Sequence, residues 1–371
     1  MKRILSLSLL LCLMLSILGG CISIPEGFGE STQPKTSPEA SGEAALPIDP
    51  TGGFQIHFID VGQADSALIL CDGKSMLIDG GNREDSNLIH SYLTKRGITY
   101  LDYVVCTHAH EDHVGGLAGA LTAADAGVVM SPVTQYNTSA FNNFLNRVQA
   151  RGLTLTVPKA GDTFILGSAS VTVLGPLKAY EETNDTSIVL RIVYGETSFL
   201  FTGDMEYAAE VDLVESGATL KSTLLKVGHH GSASSTSYRF LREVAPTYGV
   251  ISVGKDNDYG HPTETVLSRL RDADVVLYRT DAMGDIICTS DGKNLTFTTS
   301  KGGSAAVPNQ PSGTEESTEP VTEYQYIGNL NSKKFHYSHC SSIPNEENRI
   351  YFTSKAEAEE KGYTACGICK P

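Results

Sequence analysis

The densest chemistry in the chain lies between Thr107 and Gly116, which reads Thr-His-Ala-His-Glu-Asp-His-Val-Gly-Gly. Side chains two apart in an extended segment point the same way, so His108 and His110 share a face. Asp112 and His113 follow as the chain turns, and the two glycines allow close backbone approach there. Imidazole nitrogens with a carboxylate suit zinc, or manganese and iron where oxygen donors are more numerous. Three histidines and an aspartate within six residues are not core packing; they predict a metal centre.

The elements that must position these groups follow one pattern. Short β-branched runs end in polar residues: "FQIHFID" at Asp60, "SMLID" at Asp79, "LDYVVCT" before His108, "TSFLFTG" before Asp204 and "STLLKVG" before His229. Amphipathic helical patterns alternate with them over residues 86–95, 140–150, 206–216 and 263–271. Strands whose ends carry the polar groups imply one rim where those groups converge, with helices on the outer faces. The expected body is an α/β layered fold with its site along an edge.

The Thr107–Gly116 run matches the His-x-His-x-Asp-His signature and so resembles the metallo-β-lactamase superfamily, whose fold is an αββα sandwich. "FIDVGQADSALIL", "MLIDGG", "NDTSIVLRIVYGETSFLFTGD", "LLKVGHHGS" and "YGHP" resemble a narrower group. This is the extracellular hydrolase domain of the ComEC competence proteins and its stand-alone relatives, which include phosphorylcholine esterases of the bacterial surface. Ala64 departs from the glycine usual at that position.

The resemblance implies one metal at His108 and His110, a second at Asp112 and His113, and Asp204 as the bridging carboxylate. Taken alone, Asp204 would be a helix N-cap. The third histidine that many lactamases place before the bridge is absent; Asn184 and Asp185 stand there, which implies a more oxygen-rich first site and argues against a β-lactam substrate. One of His229 and His230 completes the second metal, with His230 preferred. Adjacent strand-end residues point to opposite sides, which makes the other an orienting or acid–base group. Ser232 and Ser234 either bind a phosphate oxygen or cap the next helix, the cap being the commoner role. His261 is a candidate to reach substrate or leaving group. Asp60 and Asp79 are expected to orient the metal-binding loop.

Two divalent ions, zinc or manganese, would lower the pKa of a shared water for attack at phosphorus, while a histidine protonates the leaving oxygen. In this scheme Asp112, His229 and His261 are the catalytic candidates. The expected function is an extracytoplasmic phosphodiesterase with DNA as the leading substrate. The alternatives are an esterase of phosphorylcholine or teichoic polymers and a non-catalytic surface-binding lipoprotein. No protein partner is implied.

Length and composition set the frame. A chain of 371 residues with 40% hydrophobic content accommodates a catalytic domain and a smaller one. The net charge of −15 disfavours polyanions over most of the surface, so a polyanionic substrate needs a local positive site, which bound metals supply. Lys2 and Arg3, the apolar run 4–18 and Leu18-Gly19-Gly20-Cys21 form an export signal. Its end resembles the bacterial lipobox, which implies lipidation at Cys21 and an anchor on the outer face of the cytoplasmic membrane. An ordinary signal peptide or an anchor helix are the other readings. The expected organisation is residues 1–21 signal, 22–53 a polar tether, 54–300 the hydrolase, 301–321 a linker and 322–371 a tail.

Of the eight cysteines, Cys12 and Cys21 belong to the export signal. Cys71, Cys106 and Cys288 have apolar flanks and are expected as buried thiols. In the tail, His336-x3-Cys340 and Cys366-x2-Cys369 have the spacing of a tetrahedral structural zinc site. A Cys366–Cys369 disulfide is the alternative pairing, and His339 the alternative ligand. The tail resembles the zinc-binding domain of the Ada DNA-repair protein. His336 stands where Ada carries its methyl-accepting cysteine, so methyl transfer is expected to be lost.

Overall fold

A computed structural model describes residues 53–302, 305, 326–337, 340, 344, 349–352, 354–367 and 369–371. The export signal with Cys21, the tether before residue 53, most of the 301–321 linker and His339 lie outside the described residues. No helix among the described residues is long and apolar enough to cross a membrane.

In chain order the body contains β1 (Phe54–Phe58), β2 (Ala67–Cys71), β3 (Lys74–Ile78), α1 (Ser86–Lys95), β4 (Tyr100–Val105), α2 (Glu111–Val114), α3 (Leu117–Ala123), β5 (Asp125–Met130), α4 (Ser139–Ala150) and β6 (Leu155–Thr156). It continues with β7 (Thr163–Leu166), β8 (Ala169–Gly175), β9 (Val189–Tyr194), β10 (Thr197–Phe201), α5 (Tyr207–Glu215), β11 (Leu224–Lys226), α6 (Tyr238–Val244) and β12 (Tyr248–Ile251). The last elements are α7 (Glu264–Asp272), β13 (Val276–Arg279), α8 (Thr280–Met283), β14 (Ile286–Ser290) and β15 (Leu295–Thr299).

One sheet runs β15-β14-β1-β2-β3-β4-β5-β6 and the other β13-β12-β11-β10-β9-β8-β7. Each has an antiparallel half and a parallel half, with β3 through β6 and β10 through β13 parallel. Period-2 alternation aims Phe54, Ile56 and Phe58 of β1 at Phe199 and Phe201 of β10, and Phe54 stacks on Phe199 at 4.7 Å. The outer face of the first sheet packs on α1, α3 and α4 through residues such as Leu68, Leu93 and Phe144. The second packs on α5, α6 and α7 through Leu200, Leu213, Leu241 and Leu270. Four layers result, helix–sheet–sheet–helix, as the α/β reading and the metallo-β-lactamase resemblance imply.

The tail forms its own sheet, ordered β18 (Arg349–Phe352), β16 (Tyr326–Asn329), β17 (Lys334–Tyr337), β19 (Thr364–Ala365), with α9 (Lys355–Glu360). Ser354 caps α9 by accepting from Glu357 N. Among the described residues of the tail the buried apolar side chains include Ile327, Phe335, Phe352, Ala358 and Tyr363, a small core for a fold of this size.

Candidate metal centre

The site sits where parallel strands of both sheets end, at the carboxyl ends of β3, β4, β10, β11 and β12, the rim at which open parallel sheets expose groups to a ligand. Asp79 follows β3 in a left-handed conformation (φ 57°). Its carboxylate accepts from Thr107 N at 2.8 Å, Thr107 Oγ1 at 2.7 Å and His113 Nδ1 at 2.8 Å. Glycines clamp the two loops backbone to backbone: Gly80 N donates to His113 O and Gly116 N to Gly81 O. A Cβ on Gly116 would lie 1.9 Å from Gly80 O.

Each histidine except His110 has its Nδ1 held and presents Nε2 to the centre. His108 Nδ1 faces Thr107 Oγ1 at 3.2 Å, and His230 Nδ1 faces Ser252 O at 3.0 Å and Asp65 Oδ1 at 3.3 Å. His229 Nδ1 faces Glu206 Oε1 at 3.2 Å. These acceptors fix the tautomer and leave the Nε2 lone pairs for a cation. His110 instead brings its Nδ1 to 3.1 Å from His108 Nε2.

Asp204 Oδ2 lies in the middle. It is 3.3 Å from His113 Nε2, 3.6 Å from His230 Nε2, 3.7 Å from His229 Nε2 and 4.0 Å from His108 Nε2. Asp112 Oδ2 is 3.1 Å from His230 Nε2 and 3.8 Å from His113 Nε2. Ligand bonds of about 2.1 Å in a tetrahedron put donors about 3.4 Å apart, and these separations straddle that value. Buried Asp204 Oδ1 and His113 Nε2 have no hydrogen-bond partner. Such groups are costly to bury unless something completes them, so the donor set fits a metal.

Charge balance points the same way. Burial opposes a proton on His230, but Asp204, Asp65 and Asp112 outweigh it and push the group up to about 10. Burial also opposes protonation of His113, and Asp204, Asp112 and Asp79 override it, so its pKa is raised. Burial would raise Asp204, yet His113 and His230 hold it well below the carboxylate range. Burial, then His113, push His108 down, so its ring is neutral. Without metal, imidazolium protons supply the counter-charge that a divalent cation supplies when bound.

The structure brings His108, His110, Asp112, His113, Asp204, His229 and His230 together, with Asp79 behind them. It places others differently from the sequence expectation. Asp60 Oδ2 accepts from Lys301 Nζ at 2.8 Å and its Oδ1 from Gly62 N at 3.4 Å, partners outside the Thr107–Gly116 run. Asn184 Nδ2 donates to Glu206 Oε1 and Asp185 Oδ1 accepts from Glu206 N, so this pair braces the start of α5. The N-cap of α5 is Glu206, which leaves the Asp204 carboxylate to the site.

The opposite-sides expectation for His229 and His230 fails because both are left-handed, with φ 50° and 51°, so both turn Nε2 toward Asp204. His229 thereby adds an imidazole Nε2 beside Asp204 Oδ2, whereas Asn184 and Asp185 are engaged with Glu206. Ser237 caps α6, while Ser234 Oγ donates to Glu206 Oε1. His261 reaches the mouth of the site, its ring 5.7 Å from that of His229. Ala64 is buried and outside the left-handed region, so its methyl is accommodated.

Sequence reasoning assigned no role to several residues that build the site. Lys226 is buried and donates to Asp65 Oδ2 at 2.8 Å, so Asp65 links it to His230. Arg269 donates to the carbonyls of Ala233, Ser235 and Thr236, and Glu210 accepts from Ser237 N, pinning the segment after His230. A lysine inside the apolar strand run "LLKVG" was the available signal for the first of these.

In the tail, ligand atoms of His336, Cys340, Cys366 and Cys369 lie within 4.8 Å of one another. Cys340 Sγ to Cys366 Sγ is 3.9 Å and His336 Nδ1 to Cys340 Sγ is 3.3 Å. Zinc–sulfur bonds of about 2.3 Å give a tetrahedral edge of about 3.8 Å, so the set fits zinc. None of the described cysteines forms a disulfide, and Cys71, Cys106 and Cys288 are buried.

Residues 59–255 match the family described as the metallo-beta-lactamase superfamily. The chain belongs to that superfamily. Residues 319–371 match the metal binding domain of Ada. Among curated relatives, this metallo-β-lactamase-fold chain is 29% identical over 251 residues to ComE operon protein 3 of Bacillus subtilis (strain 168), covering 62% of this chain and 32% of that protein. It is 32% identical over 228 residues to competence protein ComA of Neisseria gonorrhoeae, covering 61% and 30%. The chain therefore spans about a third of the length of these relatives. Among solved structures, the metallo-beta-lactamase fold protein YhfI from Bacillus subtilis matches with 11% identity and a TM-score of 0.41, covering 66% of this chain and all of that one. The superfamily fold and the converging donors make the body that of a metal-dependent hydrolase.

Proposed function

We propose that the chain is a two-metal phosphodiesterase of the bacterial cell envelope, anchored by lipid at Cys21 and acting on DNA outside the cytoplasm. The observation that supports it is the ring of donors around Asp204 Oδ2. Asp112, His113, His230 and Asp204 would hold one divalent ion, and His108, His110, His229 and Asp204 the other. Such a pair, when bound, lowers the pKa of water toward neutrality and offsets the charge of a phosphodiester. It also supplies the local positive field that a chain of net charge −15 otherwise lacks. DNA is favoured because two relatives are named as competence proteins.

The chain's own residues supply the rest. Gln63 Oε1 accepts from Gly254 N, so its amide nitrogen faces His261 Nδ1 at 3.5 Å. Gln63 Nε2 donates and His261 Nδ1 accepts, so His261 carries its proton on Nε2, from which it can donate to a phosphate or leaving oxygen. Glu206 and Ser234 hold His229 in register, and the exposed edges of Asp112 and His229, 32% and 22% accessible, form the entrance.

The test is turnover of bis-p-nitrophenyl phosphate, plasmid DNA and p-nitrophenyl phosphorylcholine with zinc and with manganese, for wild type and His110→Ala. The expected result is metal-dependent DNA and diester cleavage that falls at least a hundredfold in the variant with circular dichroism unchanged. Equal turnover in His110→Ala overturns the metal mechanism; cleavage of the phosphorylcholine ester alone overturns DNA as substrate.

A further inference from the structure

The loop between β12 and α7 is built around one side chain. Asn257 Nδ2 donates to Gly254 O at 2.9 Å and His261 O at 2.6 Å, while its Oδ1 accepts from Tyr259 N at 3.2 Å and His261 N at 3.0 Å. Gln63 fastens the loop to the segment after β1. These bonds use the backbone of Tyr259, not its ring. Tyr259 is 72% exposed, the most exposed of the large hydrophobic residues among those described.

One side of that ring is stacked on His261, at 5.7 Å and 23°. His261 meets His229 edge-on at 5.7 Å, and His229 Nε2 is 3.7 Å from Asp204 Oδ2. A line of rings thus leads from the donor centre to solvent and ends in an aromatic surface that packs against no core. A single exposed ring is ordinary in itself; this one is set apart by its place on a pinned loop, in line with the donor centre, where it offers a flat amphipathic face to an incoming ligand.

Resting on the phosphodiesterase reading above, we propose that Tyr259 is a stacking platform for an unpaired nucleobase beside the scissile phosphodiester, so that the substrate is single-stranded polynucleotide. Bases in a duplex are already stacked on both faces, whereas an unpaired base offers a free π-face that an aromatic side chain can take regardless of sequence. The loop's charges agree: Asp256 and Asp258 outnumber Lys255, so the loop is unsuited to tracking a phosphate backbone and suited to meeting a neutral base.

The experiment uses the metal-loaded full chain and oligonucleotides of equal length: single-stranded, duplex, and single-stranded with abasic residues, the two single strands being matched in charge. For wild type, single strands with bases are cleaved at the lowest KM, and abasic strands show a KM at least tenfold higher. Tyr259→Ala raises KM for base-containing strands about tenfold or more with kcat little changed, abolishing the preference over abasic strands. Tyr259→Phe retains it. Metal content and melting temperature of both variants report that the fold persists. An unchanged KM in Tyr259→Ala, a Phe variant as weak as Ala, or equal use of abasic strands overturns the platform while leaving a phosphodiesterase. Wild type that cleaves no oligonucleotide overturns the DNA reading and the platform together. A KM effect confined to p-nitrophenyl phosphorylcholine assigns the ring to a quaternary amine and overturns the nucleobase.

Discussion

At the scale of single residues, the centre depends on backbone conformations that side-chain type does not announce. Asp79, His229 and His230 all have positive φ, a region that costs non-glycine residues energy and is tolerated where the surroundings enforce it. The enforcement is visible at His230, whose ring is gripped from behind by Ser252 O and by Asp65, itself paired with Lys226. Lys226→Met removes one partner of a buried pair and leaves the Asp65 carboxylate with the His230 ring as its close counter-charge, which costs up to about 3–5 kcal/mol. The expected outcome in urea denaturation is a lower midpoint, with metal affinity at the Asp112–His113–His230 set down about 10- to 100-fold by competition with a chelator. Adding Asp65→Asn removes the stranded charge and should recover most of the stability. A double variant no more stable than the single one would show that the pair carries no such burden. The His108–His113 cluster was legible because its ligands are adjacent in sequence. The convergence of His229 and His230 was not, because it follows from two left-handed residues in a row.

At the scale of elements, apolar periodicity located the strands that end in ligands and the helices that cover them, since α1 and the β3 and β4 runs bury the side chains their patterns single out. The strands β7, β13 and β15 are short or shallow, with at most one fully buried side chain each, so their sequences carry too little apolar contrast to stand out. One polar residue in β1 has a consequence for acid stability. His57 is fully buried toward α1, with Nδ1 3.0 Å from Tyr92 Oη. Burial, then the nearby Arg96 charge, push it down from 6.5 to about 3. The unfolded chain therefore takes a proton at His57 below pH 6.5 while the folded chain does not until about pH 3. This contribution to stability is fully present above pH 6.5 and is lost as pH falls toward 3, at up to about 1.4 kcal/mol per pH unit. His57→Gln should lower stability at pH 7 but flatten the dependence between pH 6.5 and 3, measured as the difference from wild type in urea midpoints across that range. Parallel curves for the two proteins would sink the assignment.

At the scale of the whole molecule, the body repeats one plan in its two sheets: antiparallel strands lead into parallel ones, and the parallel ends carry ligands. The first sheet supplies Asp79 and the His108–His113 loop, and the second supplies Asp204, His229 and His230. The centre therefore exists only when both halves are packed, and the phenylalanine stack between β1 and β10 that joins them lies below the metal ligands rather than among them. The tail obeys a different economy. The few buried apolar side chains among its described residues leave chain entropy largely uncompensated, and a structural metal at His336, Cys340, Cys366 and Cys369 would contribute its binding free energy directly to folding. Cys366→Ser in the full chain should lower bound zinc by one ion and abolish hydrogen-exchange protection in peptides spanning 326–371. Peptides from 53–302 should keep theirs, and cleavage of bis-p-nitrophenyl phosphate should continue. A strong chelator should remove protection from the wild-type tail in the same way. If the tail stays protected under both treatments, its stability comes from the small aromatic cluster around Phe335 and Phe352, and the metal is a passenger there.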